Sequence, residues 1–152
     1  MYQKVLVPLD DSEASRSVLK ALSGLVADGG EAILLHVIPP GKTRGTGNFA
    51  VMGYQVEEDH RNKALVHLNR VSNELNDASI KATVTVMVSN SVVGCIVNFA
   101  EKEGVDLIAM YTHGRKGIAK LLKGSVTQDV RAHTSVEVQG FADLELAQIG
   151  AP

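Results

Sequence analysis

Lys4-Val-Leu-Val-Pro-Leu9, then Asp10-Asp-Ser-Glu13, then Ala32-Ile-Leu-Leu-His-Val-Ile38: two apolar runs enclose an acidic turn and a stretch of helical period, and that order decides the fold. Each run is too short for a helix and long enough for a buried strand. Pro8 falls near the end of the first run, where a missing N–H does least harm. Ser12, backed by Glu13, is placed to cap a helix whose buried stripe is Val18, Leu22, Leu25 and Val26, with Gly29-Gly30 as its stop. Strand, helix and strand within about 35 residues make a βαβ unit, so the strands pair in parallel through a right-handed crossover.

The rest of the chain extends this pattern. Pro39-Pro40 ends the second strand, and residues 39–53, rich in glycine and without a usable period, form a long loop expected to be mobile without ligand and partly ordered with it. Gly45-Thr-Gly-Asn-Phe-Ala50 has the form G-x-G-x-x-A, but a dinucleotide fingerprint belongs in the tight turn after the first strand, so that reading is rejected. A helix from about Tyr54 to Asn76 follows, with Leu65, Leu68, Val71 and Leu75 as its apolar stripe. Its His60 and His67 are too widely spaced for a metal site without a third ligand. Ala82, Val84, Val86 and Val88 alternate with a period of two, as in a strand with one more exposed face or at a sheet edge. Asn90-Ser91 leads into a helix carrying Val92, Val93, Ile96 and Val97 and closed by Gly104. Val105 to Met110 is a fourth buried strand, Val126, Val130 and His133 repeat at the spacing of a last helix, and Val136 to Phe141 alternates as a fifth strand. The expected architecture is a single α/β domain over residues 1–152: a doubly wound five-stranded parallel sheet with helices on both faces and an edge strand available for dimerisation.

Composition narrows the function. The 45% of hydrophobic residues with only 4% aromatic imply an aliphatic core. A formal charge of −2 gives no basic field for non-specific nucleic-acid binding. No apolar run approaches the roughly 18 residues of a membrane span and no signal-peptide layout is present, so the expected location is the cytosol. Cys95, the single cysteine, lies in an apolar helical setting that suits packing rather than nucleophilic chemistry.

The chemistry-bearing stretch is Tyr111-Thr-His-Gly-Arg-Lys-Gly-Ile-Ala-Lys-Leu-Leu-Lys-Gly-Ser-Val-Thr127. A strand, a glycine loop and a helix start in that order leave backbone N–H groups and a positive dipole end facing one crevice, where phosphate fits. The same glycines could equally just turn the chain, with Ser125 only capping a helix. A Walker phosphate loop is disfavoured, because Lys123 precedes Gly124 instead of following it. In a doubly wound sheet ligands sit at the carboxyl ends of the strands near the switch point, and there the ends of strands one, two and four converge.

Val-Pro-Leu-Asp-Asp-Ser at the first turn, Leu-Leu-His-Val in the second strand, Val-Asp-Leu-Ile in the fourth, and Thr-His-Gly-Arg with Gly-Ser nine residues beyond Gly114 resemble the universal stress protein family from about Lys4 to Val138. Its nucleotide-binding branch carries G-x-x-G, nine residues, then G-[ST]. Gly114 and Gly124-Ser125 match the later parts, while Tyr111 replaces the first glycine. The resemblance implies ATP or AMP as ligand, with Mg²⁺ held at most through the phosphates. It implies Pro8, Leu9 and Val37 as a bed for adenine, Met110 opposite, and Asp10 as acceptor for the ribose hydroxyls. Gly114 and Gly124 would admit the phosphates, Ser125, Val126 and Thr127 would donate to them, and Arg115 would add charge. It further implies a homodimer through the strand around Val136 to Phe141, from which Glu137 and Gln139-Gly140 depart. No catalytic group is identified, so any hydrolysis would be slow.

Two functions remain open on these residues. The first is a stress-response sensor or regulator that binds an adenine nucleotide. The alternative is a dimerising protein-interaction module of the same fold that no longer binds nucleotide, with Tyr111 as its chief support. The alternation of a strand's end, with Met110 assigned to the crevice, leads to the expectation that the Tyr111 ring points mostly away from it.

Overall fold

The computed structural model describes residues 1–10, 15–112 and 126–142, with backbone alone at residues 15–17, 49, 111, 112 and 142. Strand β1 (Tyr2–Pro8) lies between β2 (Val26–Ile38) and β4 (Leu107–Thr112), with β3 (Lys81–Val88) and β5 (Glu137–Ala142) at the two edges. Every pairing is parallel, so the crossovers are helical, as the βαβ reading requires. Helices α1 (Ser15–Ser23) and α2 (Gly53–Asp77) lie on one face, α3 (Val92–Glu103) and α4 (Val126–His133) on the other.

Alternation along the strands builds the two cores. Val5, Val7, Leu34, Leu107 and Ala109 pack with Val18 and Leu22 of α1 and Leu68, Val71 and Leu75 of α2. Leu6, Ile33, Leu35, Ile108 and Met110 turn the opposite way, toward Ile96, Val97 and Ala100 of α3 and Val130 of α4. Strands buried on both faces have no polar side to show, hence their unbroken apolar runs. Ser91 caps α3 by accepting from the Gly94 N–H at 3.0 Å, and Gly104 closes it in the left-handed conformation.

Several expectations need correction. The pair Gly29-Gly30 does not stop α1, which ends at Ser23; β2 begins at Val26, so Val26 belongs to the sheet. The reason is a bulge: Tyr2 pairs with Val26 but Lys4 with Glu31, and Gly30 lies so close under β1 that a Cβ there would meet the Gln3 carbonyl at 2.8 Å. Residues 39–53 are a loop, as expected, with local hydrogen bonds inside it. Arg44 and Val51 exchange backbone hydrogen bonds of 2.9 and 2.7 Å, a short 3₁₀ turn spans Gly47–Phe49, and the Gly41 N–H donates to Glu57 of α2 at 3.1 Å. A side chain on Gly41 would run into the Gly53 carbonyl. On α4 the buried residues are Thr127 and Val130, while Val126 and His133 are exposed. Finally, β4 starts at Leu107 rather than Val105 and continues through Tyr111 and Thr112, and β5 runs one residue later than its alternation suggests.

The edge reading of β3 holds. Its outward polar groups are met by side chains of α2: Asn76 accepts from the Ala82 N–H at 3.0 Å, Ser72 donates to the Ala82 carbonyl at 3.1 Å, and Arg61 donates to the Val86 carbonyl at 3.3 Å. On β5 the exposed Arg131 donates to the Val138 carbonyl at 3.3 Å. Val136 and Val138 of this segment pack against the α3–α4 core, and Phe141 turns toward the other.

Candidate functional site

At the switch point β1 is held from below by a carboxylate. Asp106, just before β4, accepts from the backbone N–H groups of Gln3 and Lys4 at 2.9 and 2.8 Å, and its own N–H donates to the Lys4 carbonyl at 3.0 Å. Partial desolvation would raise its pKa, but the donated backbone hydrogen bonds outweigh that and hold it below the ordinary value. Above this clamp β1 and β4 pair only at Val5↔Leu107 and Leu6↔Ile108, whereas β1 follows β2 up to Pro8↔Leu35.

Proline explains the asymmetry. The Lys4 carbonyl faces β4 and the Leu9 N–H faces β2, where it donates to Leu35 at 2.8 Å. Successive residues of a strand direct their backbone groups to opposite sides, so Pro8 faces β4 with no N–H to offer. The ladder stops there and the two strands part. Between them opens a cavity of about 260 Å³ lined by Pro8, Leu9, Asp10, Leu35, His36, Val37, Val92, Ile96, Met110 and Val126.

Of the residues that the sequence singles out, Pro8, Leu9, Asp10, Val37, Met110 and Val126 thus share one cavity wall. Thr127 is buried at the start of α4 and does not line it. Gly114, Arg115, Gly124 and Ser125 lie outside the described residues, as does the proposed cap Ser12, and the direction of the Tyr111 ring lies outside the described side chains. Sequence reasoning missed Leu35, His36, Val92 and Ile96 as wall residues. Val92 and Ile96 stand four apart at the start of α3, a spacing that already placed them on one helical side, but which end of which helix roofs the crevice depends on the crossover.

His36 is the other omission. It is buried at 9% exposure, and its Nδ1 lies 2.6 Å from the Leu9 carbonyl. A carbonyl can only accept, so Nδ1 carries the proton. Cys95 stands apart from this cavity, half-buried, and its partial burial pushes its thiol pKa up. Among the described residues no three His, Cys, Asp or Glu side chains cluster as metal ligands, and no helix is long and apolar enough to cross a membrane.

The cavity is apolar at its floor and roof, with one carboxylate at the rim. It suits a ligand with an apolar body and a polar group able to donate to a carboxylate. The sequence profile of the universal stress protein family matches residues 1–139. The chain belongs to the universal stress protein family. It is 35% identical over 150 residues to the universal stress protein MJ0577 of Methanocaldococcus jannaschii, a match covering 86% of this chain and 88% of the relative. The solved structure of MJ0577, itself the subject of a structure-based assignment of biochemical function, superposes with a TM-score of 0.71 and 29% identity, over 93% of this chain and 96% of that one. Two more distant structures share the universal stress protein fold. One is a universal stress protein in complex with cAMP, with a TM-score of 0.66 and 20% identity over 93% of this chain and 98% of that one. The other is the Archaeoglobus fulgidus universal stress protein in complex with dAMP, with a TM-score of 0.66 and 18% identity over 91% and 97%.

Proposed function

We propose that this universal stress protein binds an adenine nucleotide, ATP or AMP, in the crevice between β1 and β4. It would act in the cytosol as a stress-response sensor or regulator with at most slow hydrolysis. One observation carries the reading: six residues from four separate stretches of sequence, which the family resemblance implied as ligand contacts, line a single cavity at the switch point. In this reading Pro8, Leu9, Val37 and Met110 bed the base and Asp10 accepts the ribose hydroxyls. Gly114, Gly124 and Ser125, with Arg115 nearby, receive the phosphates by the sequence pattern alone, and any Mg²⁺ is held through those phosphates. The cAMP and dAMP complexes of related folds support the class of ligand.

Calorimetric titration with ATP and Mg²⁺, together with analysis of small molecules released on denaturation, tests it. Saturable binding is expected, weakened far more by Gly124→Val than by Tyr111→Gly. No heat and no released nucleotide would remove the reading, and tight binding created from none by Tyr111→Gly would show the wild-type site to be blocked. Either outcome would favour the alternative, a dimerising interaction module.

The partner in both readings is a second copy of the chain, joined through β5. Of the two sheet edges, β3 has its outward groups engaged by Ser72, Asn76 and Arg61 of α2, while the cap on β5 is an exposed arginine. Sedimentation should show a dimer at concentrations of about tens of micromolar, a range suited to a modest interface; a monomer alone there would count against it.

A further inference from the structure

Leu9 is held at both of its backbone groups by β2. Its N–H donates to the Leu35 carbonyl at 2.8 Å, and its carbonyl accepts from Nδ1 of His36 at 2.6 Å. The first bond continues the β1–β2 ladder; the second is made by a side chain at the level where that ladder ends. Because a peptide unit is planar and trans, fixing the Leu9 carbonyl also fixes the Asp10 N–H on the opposite side and so sets where the Asp10 chain starts. The imidazole that does this is buried, and its residue is among those that line the same cavity as Asp10.

We infer that His36 is a positioning residue of the nucleotide site: through the Leu9 carbonyl it holds the Leu9–Asp10 peptide so that the Asp10 carboxylate faces the ribose. The inference rests on the nucleotide reading above. His36 does not touch the nucleotide itself; it acts by removing a freedom that Asp10 would otherwise have to lose on binding. Its chemistry is specific. A buried ring with a donor at the Nδ1 position is required, and phenylalanine keeps the ring's bulk while losing the donor. Asparagine is shorter, but its side-chain amide places an N–H near the Nδ1 position.

Two measurements test this. The first uses the wild-type protein without nucleotide, at about pH 8: long-range ¹H–¹⁵N correlation of His36 should show the Nδ1–H tautomer, and an Nε2–H tautomer would overturn the proposal. The second compares ATP with 2′-deoxy-ATP, because in the nucleotide reading Asp10 is the group that accepts the ribose hydroxyls. The wild type should prefer ATP by about fivefold, the worth of one good hydrogen bond. His36→Phe should bring that ratio to about one, and His36→Asn should restore most of the preference. If His36→Phe binds both nucleotides more weakly with the ratio unchanged, the histidine merely supports the fold and the inference fails alone. If the wild type binds neither nucleotide, the nucleotide reading fails and takes the inference with it.

Discussion

Strand β1 has two neighbours, and it treats them differently. Toward β2 it pairs from Tyr2↔Val26 to Pro8↔Leu35, and the Leu9 N–H adds a further bond; toward β4 its register ends at Leu6↔Ile108. The closed side is a packed interior, while the open side is a cavity. One missing N–H, at Pro8, falls on the β4 side and on no other. A parallel sheet can therefore be opened at a chosen seam by a proline of the right parity, with the adjoining seam left intact.

The largest expected effect sharpens that contrast. Ile96 roofs the open seam at 1% exposure, and Leu34 sits fully buried on the opposite face of β2. Truncating either to alanine should cost about 2–4 kcal/mol in chemical denaturation, the usual range for a buried aliphatic side chain. Only Ile96→Ala should also alter ATP affinity. Equal loss of binding in Leu34→Ala would mean that the cavity responds to global loosening and is not a separate site.

A smaller effect is expected at the foot of the open seam. Asp106→Asn keeps the shape but replaces one of the two oxygens that accept from the Gln3 and Lys4 N–H groups with an amide NH2, and should cost about 0.5–1 kcal/mol at neutral pH, since the group is largely exposed. The folded carboxyl has a lowered pKa, so its contribution is complete above the unfolded value of about 3.9 and is lost as pH falls through the folded value. Denaturation midpoints measured from pH 7 down to about 2.5 should therefore show a steeper acid decline in the wild type than in Asp106→Asn. Parallel curves would assign the acid response to other carboxylates.

The smallest change in stability, within about 1 kcal/mol, is expected for Pro8→Val, because a strand residue that restores a donor at a ladder position disturbs little packing. Its effect on binding is the informative part. With an N–H facing β4 the ladder can extend by a rung and draw the strands together, and ATP affinity should fall about tenfold. Unchanged affinity would show that the seam is kept open by the side chains of Val92, Ile96 and Met110, not by the proline.

Much of this was legible in the chain. Apolar runs at Lys4–Leu9, Ala32–Ile38 and Val105–Met110 announce buried parallel strands, because a strand covered on both faces cannot carry polar residues. Asp10 and Val37 were identifiable since each follows or closes such a run, where open α/β sheets bind ligands. Local signals misled where tertiary pairing overrode them. Gly29-Gly30 resembles a helix stop, but the demand of β1 for a partner at Tyr2 draws Val26 into the sheet and leaves the glycines in a bulge. Residues 39–53 lack a period, yet Arg44 and Val51 pair across them, since such a bridge needs only two residues at the right distance. His133 has helical spacing from Val126 and Val130 but lies on the exposed side of a short helix.

The sequence by itself determined the class of fold, its strands and the chemistry gathered at their ends, because those follow from hydrophobic period and turn residues, which are local. Only the tertiary structure decided that Pro8 faces β4, that Val92 and Ile96 roof the cavity, and that His36 reaches the Leu9 carbonyl. Each of these depends on which strand lies beside which and in what register, and parallel strands separated by a helix carry no record of that register in the residues between them.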